Sequence, residues 1–185
     1  MGFNMKPRSF PVYDLCLISI FTAIITVMAQ LSIPMPYGVP MTLQTFAILL
    51  AGVVLGAKKG TIATLVYVLL GIIGVPVFAG FNGGIGIVLG YTGGFIMSFP
   101  IMALTAGVGA SKNNKWWLWG GLVAGVIINY ICGVVYFSFH TSNDLIVSFT
   151  TCVLLFIPTD AVKIIAVGLF GKKMKDILMK GKLLK

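Results

Sequence analysis

Between Tyr13 and Phe170 the only charged side chains are Asp14, Lys58, Lys59, Lys112, Lys115, Asp144, Asp160 and Lys163. Long apolar stretches fill the intervals. A chain folded in water must cover its surface with polar groups, and a soluble domain carries about 25% charged residues. Here charged residues make up 9% and hydrophobic ones 58%. Lipid is the solvent that suits such a chain. The sequence therefore predicts an all-α integral membrane protein of several transmembrane helices. Its 185 residues make one membrane-embedded domain, 1–185, with almost nothing left for a second.

The apolar runs predict six helices, at roughly Tyr13–Ser32, Leu43–Ala57, Thr61–Gly74, Leu89–Ala110, Trp116–Ser138 and Leu145–Phe170. Spanning a bilayer takes about 20 apolar residues. The second and third runs are short, and Gly56-Ala-Lys-Lys-Gly60 reads as a tight turn between them. The last run is over-long and holds Pro158, which removes a backbone hydrogen bond and is expected to kink or interrupt the helix. Lysine placement sets the orientation. Lys6 and Arg8 precede the first run, Lys58 and Lys59 separate the second from the third, and Lys112 and Lys115 separate the fourth from the fifth. Lys172, Lys173, Lys175, Lys180, Lys182 and Lys185 follow the sixth, whereas segments 33–42, 75–88 and 139–144 have no Lys or Arg. The positive-inside rule then puts both termini in the cytoplasm. The net charge of +9 is thus a topology signal, not a nucleic-acid signature: no basic soluble face with interleaved aromatics exists.

Two outer loops stand out. Ile33-Pro-Met-Pro-Tyr-Gly-Val-Pro-Met-Thr-Leu-Gln44 places three prolines in seven residues, which enforces a stiff, extended path. It suits a rigid connector or a lid, and Tyr37 offers it an aromatic face. Val75-Pro-Val-Phe-Ala-Gly-Phe-Asn-Gly-Gly-Ile-Gly86 is apolar and rich in glycine. Such backbone beside a membrane is tolerated where protein buries it or where it lines a cavity. Glycines also let backbone approach a ligand closely. Asn82 is a lone amide among these apolar residues and calls for partners.

Asp160 is the one acid away from the ends of the apolar runs, about 16 Å along a helix from Gly171. Lys163 follows it on roughly the same helical face. Each charge at a bilayer centre costs about 2.5–3.5 kcal/mol. An internal ion pair holding the bundle is one explanation. A polar pocket for a small molecule is the other: a carboxylate beside an ammonium can hold a urea- or amide-like group, or Lys163 can meet a carboxylate.

Other chemistries find no support. There is no phosphate-binding Gly-x-x-x-x-Gly-Lys-Ser/Thr loop and no Gly-x-Ser-x-Gly elbow. His140 is the only histidine and is placed in an outer loop, too little for a metal site. Cys16, Cys132 and Cys152 are isolated in apolar runs and read as buried structural thiols. One embedded acid beside a lysine is weak grounds for a proton pump.

Four segments, in order, resemble the BioY family: 29–44, Gly74-Val-Pro-Val-Phe-Ala-Gly-Phe-Asn-Gly-Gly84, Gly90-Tyr-Thr-Gly-Gly-Phe95 and Pro158-Thr-Asp-Ala-Val-Lys163. The likeness runs from about Ala23 to Lys173. BioY proteins are biotin-specific substrate-binding (S) components of energy-coupling factor (ECF) transporters. The resemblance implies the six-transmembrane-helix ECF S-component fold in a prokaryotic cell membrane, with biotin captured at the extracellular side. It implies a transmembrane EcfT subunit and cytoplasmic ATPases EcfA and EcfA' as partners, no cofactor and no enzymatic activity. Asn82, Asp160 and Lys163 match the family's polar biotin-contacting positions, and the proline-rich loop matches its lid. The candidate substrate-binding set is Asp160, Lys163, Asn82, Tyr37, Gln44, Gly83, Gly84 and Tyr91. Tyr91 stands where the family's glycine motif usually has proline. The family's Ala-x-x-x-Ala docking pattern on the first helix is replaced by Ser19/Ala23 or Thr22/Thr26, the candidate partner-binding residues. Two other readings are a stand-alone biotin transporter and a membrane enzyme using Asp160 and Lys163 as acid and base.

Overall fold

The structure is a computed structural model and describes residues 12–35, 38–112 and 114–181. Helix α1 (Val12–Gln30) buries Leu17, Ile18, Phe21, Ile25 and Ala29 on one side and exposes Leu15, Ile20 and Val27 on the other. Apolar side chains on both faces mark a helix whose outer surface also meets an apolar medium. The same holds for α5 (Lys115–Thr141), which buries Leu122 and Val126 and exposes Val123, Ile127 and Ile131. Among the described residues, four helices are long and apolar enough to cross a membrane, and a bent pair makes a fifth candidate.

The expected second and third helices join as α2 (Gln44–Ile72), broken at one residue, Gly56, with φ 81° and ψ 170°. That backbone region is essentially restricted to glycine. The chain doubles back there. Gln44 and Tyr67 are bonded side chain to side chain, although a straight helix would hold them about 34 Å apart. Gly60 likewise lies against the Ala51 carbonyl and the Gly52 backbone. The turn expected over 56–60 is therefore shorter, and Lys58 and Lys59 belong to the second arm. Lys59 pairs with Asp14 at 2.5 Å, fixing the start of α1 to this turn.

Helix α4 (Gly93–Ser111) packs between α2 and α5. A Cβ on Gly52 would collide with the Ala103 carbonyl oxygen, and one on Gly107 with the Ala57 backbone. Small residues thus let the α2 and α4 backbones touch. The fourth helix was expected from Leu89, but that residue ends a separate short helix, α3 (Ile85–Leu89), and extended Gly90 interrupts before α4.

The last expected helix is divided. Helix α6 (Leu145–Cys152) and the segment from Ile157 to Lys180 meet at a 55° bend. Pro158 sits in the first turn of α7 (Ile157–Ala166), where a missing N–H costs nothing. A π-helical turn, Val167–Gly171, then leads into α8 (Lys172–Lys180), so the helix runs past Phe170 and carries the basic cluster within it. The all-α expectation also needs a small correction. Ser32–Ile33 (β1) and Met41–Thr42 (β2) form a two-stranded antiparallel ribbon framing the proline-rich loop. Proline forbids helix there, and the flanking backbone groups satisfy one another instead.

Two smaller expectations change. Cys16 is exposed and Cys132 half-buried; Cys152 alone is buried. His140 is in the last turn of α5 and stacks on Tyr136, 6.3 Å between ring centres.

Candidate functional site

A cavity of about 170 Å³ opens at the end of the bundle away from the Gly56 turn. It draws on six parts of the chain: the loop around Gly38–Met41, the start of α2, the 78–82 loop, the first turns of α4, the Asn129–Tyr130 segment of α5 and the Asp160–Lys163 segment of α7. Phe78, Ile87, Phe95, Ile96, Phe99 and Phe156 supply the apolar wall.

Asp160 and Lys163 form its polar floor, 4% and 8% exposed. They sit one turn apart on α7 because Pro158 starts that helix just ahead of them. Lys163 Nζ donates to Asp160 Oδ1 at 2.7 Å, to the Thr42 carbonyl at 2.7 Å and to Thr45 Oγ1 at 3.1 Å. An ammonium has three N–H groups, so all three are engaged. Thr45 Oγ1 donates to Asp160 Oδ1 at 3.2 Å, and Tyr130 Oη to Asp160 Oδ2 at 2.6 Å. Both charges are thus paired and hydrogen-bonded, which is what makes their burial tolerable. The carboxylate keeps acceptor capacity while the ammonium has no spare donor.

Asn129 adds a second acceptor. Its Nδ2 donates to the Phe95 carbonyl at 3.0 Å and to Ser98 Oγ at 2.7 Å. A carbonyl partner fixes which end of the amide is nitrogen. The Asn129 Oδ1 therefore has no partner among the described residues, and Asn129 lines the cavity.

Of the residues singled out in the sequence, Asp160, Lys163, Asn82, Gln44 and Tyr91 line the cavity. Asn82 is exposed at its rim, and its Nδ2 bonds the Ala79 carbonyl at 2.8 Å. Gln44 is tied to Tyr67. Tyr91 leans on Phe137, and its hydroxyl would stand 2.6 Å from a Cβ on Gly38, so the ring supports the proline-rich loop from below. Gly83 and Gly84 are not among the lining residues. Gly83 is wedged against the Val75 carbonyl, and the Gly84 N–H bonds Gly71 O at 2.7 Å, so they shape the loop that carries Asn82. Tyr37 lies outside the described residues.

The two candidate docking pairs separate as well. Ser19 and Ala23 are exposed on α1. Thr22 is turned inward, 4% exposed, and its hydroxyl donates to Ala63 O at 3.0 Å, so it is not available to a partner. Thr26 is half-buried and bonds Thr22 O.

Sequence reasoning overlooked Thr42, Thr45, Asn129 and Tyr130. An asparagine in the middle of the fifth apolar run carries the same signal as Asp160 and was open to the same argument. The threonines gave no such signal, because a hydroxyl can satisfy itself on its own helix.

The sequence model of the BioY family matches residues 4–180. The biotin transporter BioY of Thermotoga maritima is 39% identical over 160 residues, covering 85% of this chain and 93% of that protein. Biotin transporter BioY2 of Lactococcus lactis is 34% identical over 162 residues, covering 86% and 88%. Among solved structures, the S-component for biotin from an ECF-type ABC transporter superposes with a TM-score of 0.82 at 29% identity, over 95% of both chains.

Proposed function

The chain belongs to the BioY family, and we propose that it captures biotin as the substrate-binding component of an ECF transporter. It is a transport protein, not an enzyme. The observation that carries this reading is the pairing of a fixed carboxylate with a spare amide oxygen in one apolar cavity. Biotin's ureido ring offers two N–H donors and one carbonyl. Asp160 accepts one N–H, with Tyr130, Thr45 and Lys163 holding its oxygens in place. Asn129 Oδ1 accepts the other. Lys163 acts chiefly by fixing Asp160, since its own donors are committed. The aromatic wall takes the thioether ring and the valerate chain, and Asn82 and Tyr91 border the exit.

The whole chain, 1–185, acts as one membrane-embedded unit in a prokaryotic cell membrane. It crosses six times: α1, the two arms of α2, α4, α5, and the bent α6–α8 segment. The Gln44–Tyr67 contact supports counting α2 twice. Both termini are cytoplasmic, which follows from the lysine distribution. The cavity then opens outside, because Asp14, Lys59 and the Gly56 turn mark the other end. A transmembrane EcfT subunit docks along α1 near Ser19 and Ala23, and EcfA-type ATPases supply the energy.

Titration calorimetry on the purified chain is expected to show saturable biotin binding, with no ATP hydrolysis. Binding of a different vitamin in place of biotin would overturn the substrate. For topology, single cysteines at Lys112, Asn143 and Lys180 are introduced in a background without native cysteines. In sealed right-side-out vesicles an impermeant thiol reagent is expected to label only the Asn143 site. Labelling at Lys180 before the membrane is opened would refute cytoplasmic termini.

A further inference from the structure

At the opposite end from the biotin cavity lies a second concavity of about 370 Å³, lined by Lys112, Lys115, Lys172 and Lys175 against one carboxylate, Asp176. Three features of the chain bring the lysines together. Asn114 caps α5 by accepting from the Trp116 N–H at 2.9 Å, which keeps the α4–α5 connection short and holds Lys112 near Lys115. The π-helical turn Val167–Gly171 resets the helix just before Lys172; such turns recur at functional sites. Lys175 Nζ donates to the Ala110 carbonyl at 3.3 Å, tying α8 to the end of α4.

Among the described residues, no carboxylate lies within ion-pairing distance of any of the four. Lys112 and Lys115 rest instead near the rings of Trp117 and Trp116, at 5.9 and 5.8 Å. Four positive charges against one carboxylate leave an excess of like charge that repels, and a ligand carrying negative charge relieves that repulsion. Apart from Ser111 and Asn114, the rest of the lining is apolar. Trp119 lies directly on Gly168, where any Cβ would collide with the indole. Leu169 and Met179 line the same concavity and are largely exposed. A free phosphate would use the lysines and leave this apolar rim unused, whereas an amphiphile uses both.

We propose that this concavity binds the phosphate group of an anionic phospholipid. The four lysines hold the phosphate as point charges, and the acyl chains lie along Leu169, on the bilayer side of Lys172. Basic pockets between transmembrane helices hold lipid headgroups in this manner. The site is distinct from the biotin cavity and does not depend on which vitamin that cavity takes.

The test is native mass spectrometry of the full chain released from nanodiscs of phosphatidylcholine with phosphatidylglycerol. One tightly retained phosphatidylglycerol is expected. The double variant K112Q/K172Q is expected to lose retention by roughly five-fold per lysine. The charge-matched K173Q/K180Q, whose lysines lie outside the concavity, is expected to keep it. K112R/K172R restores the charge and is expected to retain the lipid. Equal retention by K112Q/K172Q and the unmodified chain overturns the proposal. Equal loss in K112Q/K172Q and K173Q/K180Q also overturns it, by reducing the effect to general surface charge. Inorganic phosphate that raises the melting temperature in pure phosphatidylcholine nanodiscs as much as phosphatidylglycerol does would overturn the lipid source. Biotin titration of the same samples is expected to be unchanged, so a failed lipid test leaves the biotin reading standing.

Discussion

The double variant Asp160→Leu, Lys163→Met is expected to stay folded and to bind no biotin, while each single change leaves a weakened, less stable protein. The asymmetry comes from charge burial. In the unmodified site each charge has the other, and Thr45 bridges both. Lys163→Met leaves the Asp160 carboxylate with only Tyr130 and Thr45, and breaking a buried pair by removing one partner typically costs about 3–5 kcal/mol. Asp160→Asn keeps the shape and an amide oxygen for Lys163 but removes the counter-charge, leaving the buried ammonium among neutral acceptors only, the amide, the Thr42 carbonyl and Thr45. It also weakens the acceptor offered to the ureido ring. Losing a hydrogen bond to a charged group is worth about 1.5–3 kcal/mol, roughly a ten- to hundred-fold loss of affinity. Removing both charges eliminates the stranded ion. The freed Tyr130 hydroxyl and Thr42 carbonyl face a cavity that water can enter. Melting temperature in detergent and biotin titration, run on all three variants, separate stability from binding. Unaltered biotin affinity in the double variant would move the binding site away from α7 and rule out the assignment made here.

Substituting Gly52 with valine is expected to leave no recoverable folded protein, whereas Gly56→Ala folds with reduced stability. The two glycines are four residues apart but do different work. At Gly52 the α4 backbone occupies the space a side chain needs, with the Ala103 carbonyl directly in the way. Valine there must push α2 and α4 apart along a seam that includes Ala106 and Gly107, and no flexible side chain is available to yield. At Gly56 the surroundings are empty within 4 Å, so the difficulty is conformational alone. Its φ of 81° with ψ of 170° is costly for any residue with a Cβ, of order 1–3 kcal/mol. Size-exclusion profile and melting temperature distinguish the two outcomes. A monodisperse, normally melting Gly52→Val protein would mean that the α2–α4 seam is looser than its backbone contacts indicate.

The sequence exposed most of the architecture, because membrane helices advertise themselves by composition. Asp160 and Lys163 were legible for the same reason: a charge in an apolar run has few explanations. What failed to show was the helix punctuation. The single-residue reversal at Gly56 looked like a five-residue turn, since glycine and lysines flanked it and helical hydrogen bonding resumes at once. Leu89 looked like part of the fourth helix because α3 and α4 are both apolar and only the extended Gly90 separates them. Lys163 was legible as a charge but not as a saturated donor. That depends on the Thr42 carbonyl, a backbone atom presented by a ribbon 121 residues earlier in the chain. Thr22 illustrates the converse: its spacing matched a docking pattern, but which face of α1 turns toward Ala63 is settled by tertiary packing.

The sharp reversal at Gly56 has a consequence for the surrounding bilayer. Its two arms, 44–55 and 57–72, measure only about 18 and 24 Å along their axes. A hydrocarbon core is about 30 Å thick. If both arms cross, as proposed, lipid beside this hairpin is expected to be thinner than lipid beside α5, whose length matches a full crossing. On the six-crossing reading proposed above, the protein sits in an unevenly deformed membrane, and bilayer thickness becomes a variable that acts on one side of it.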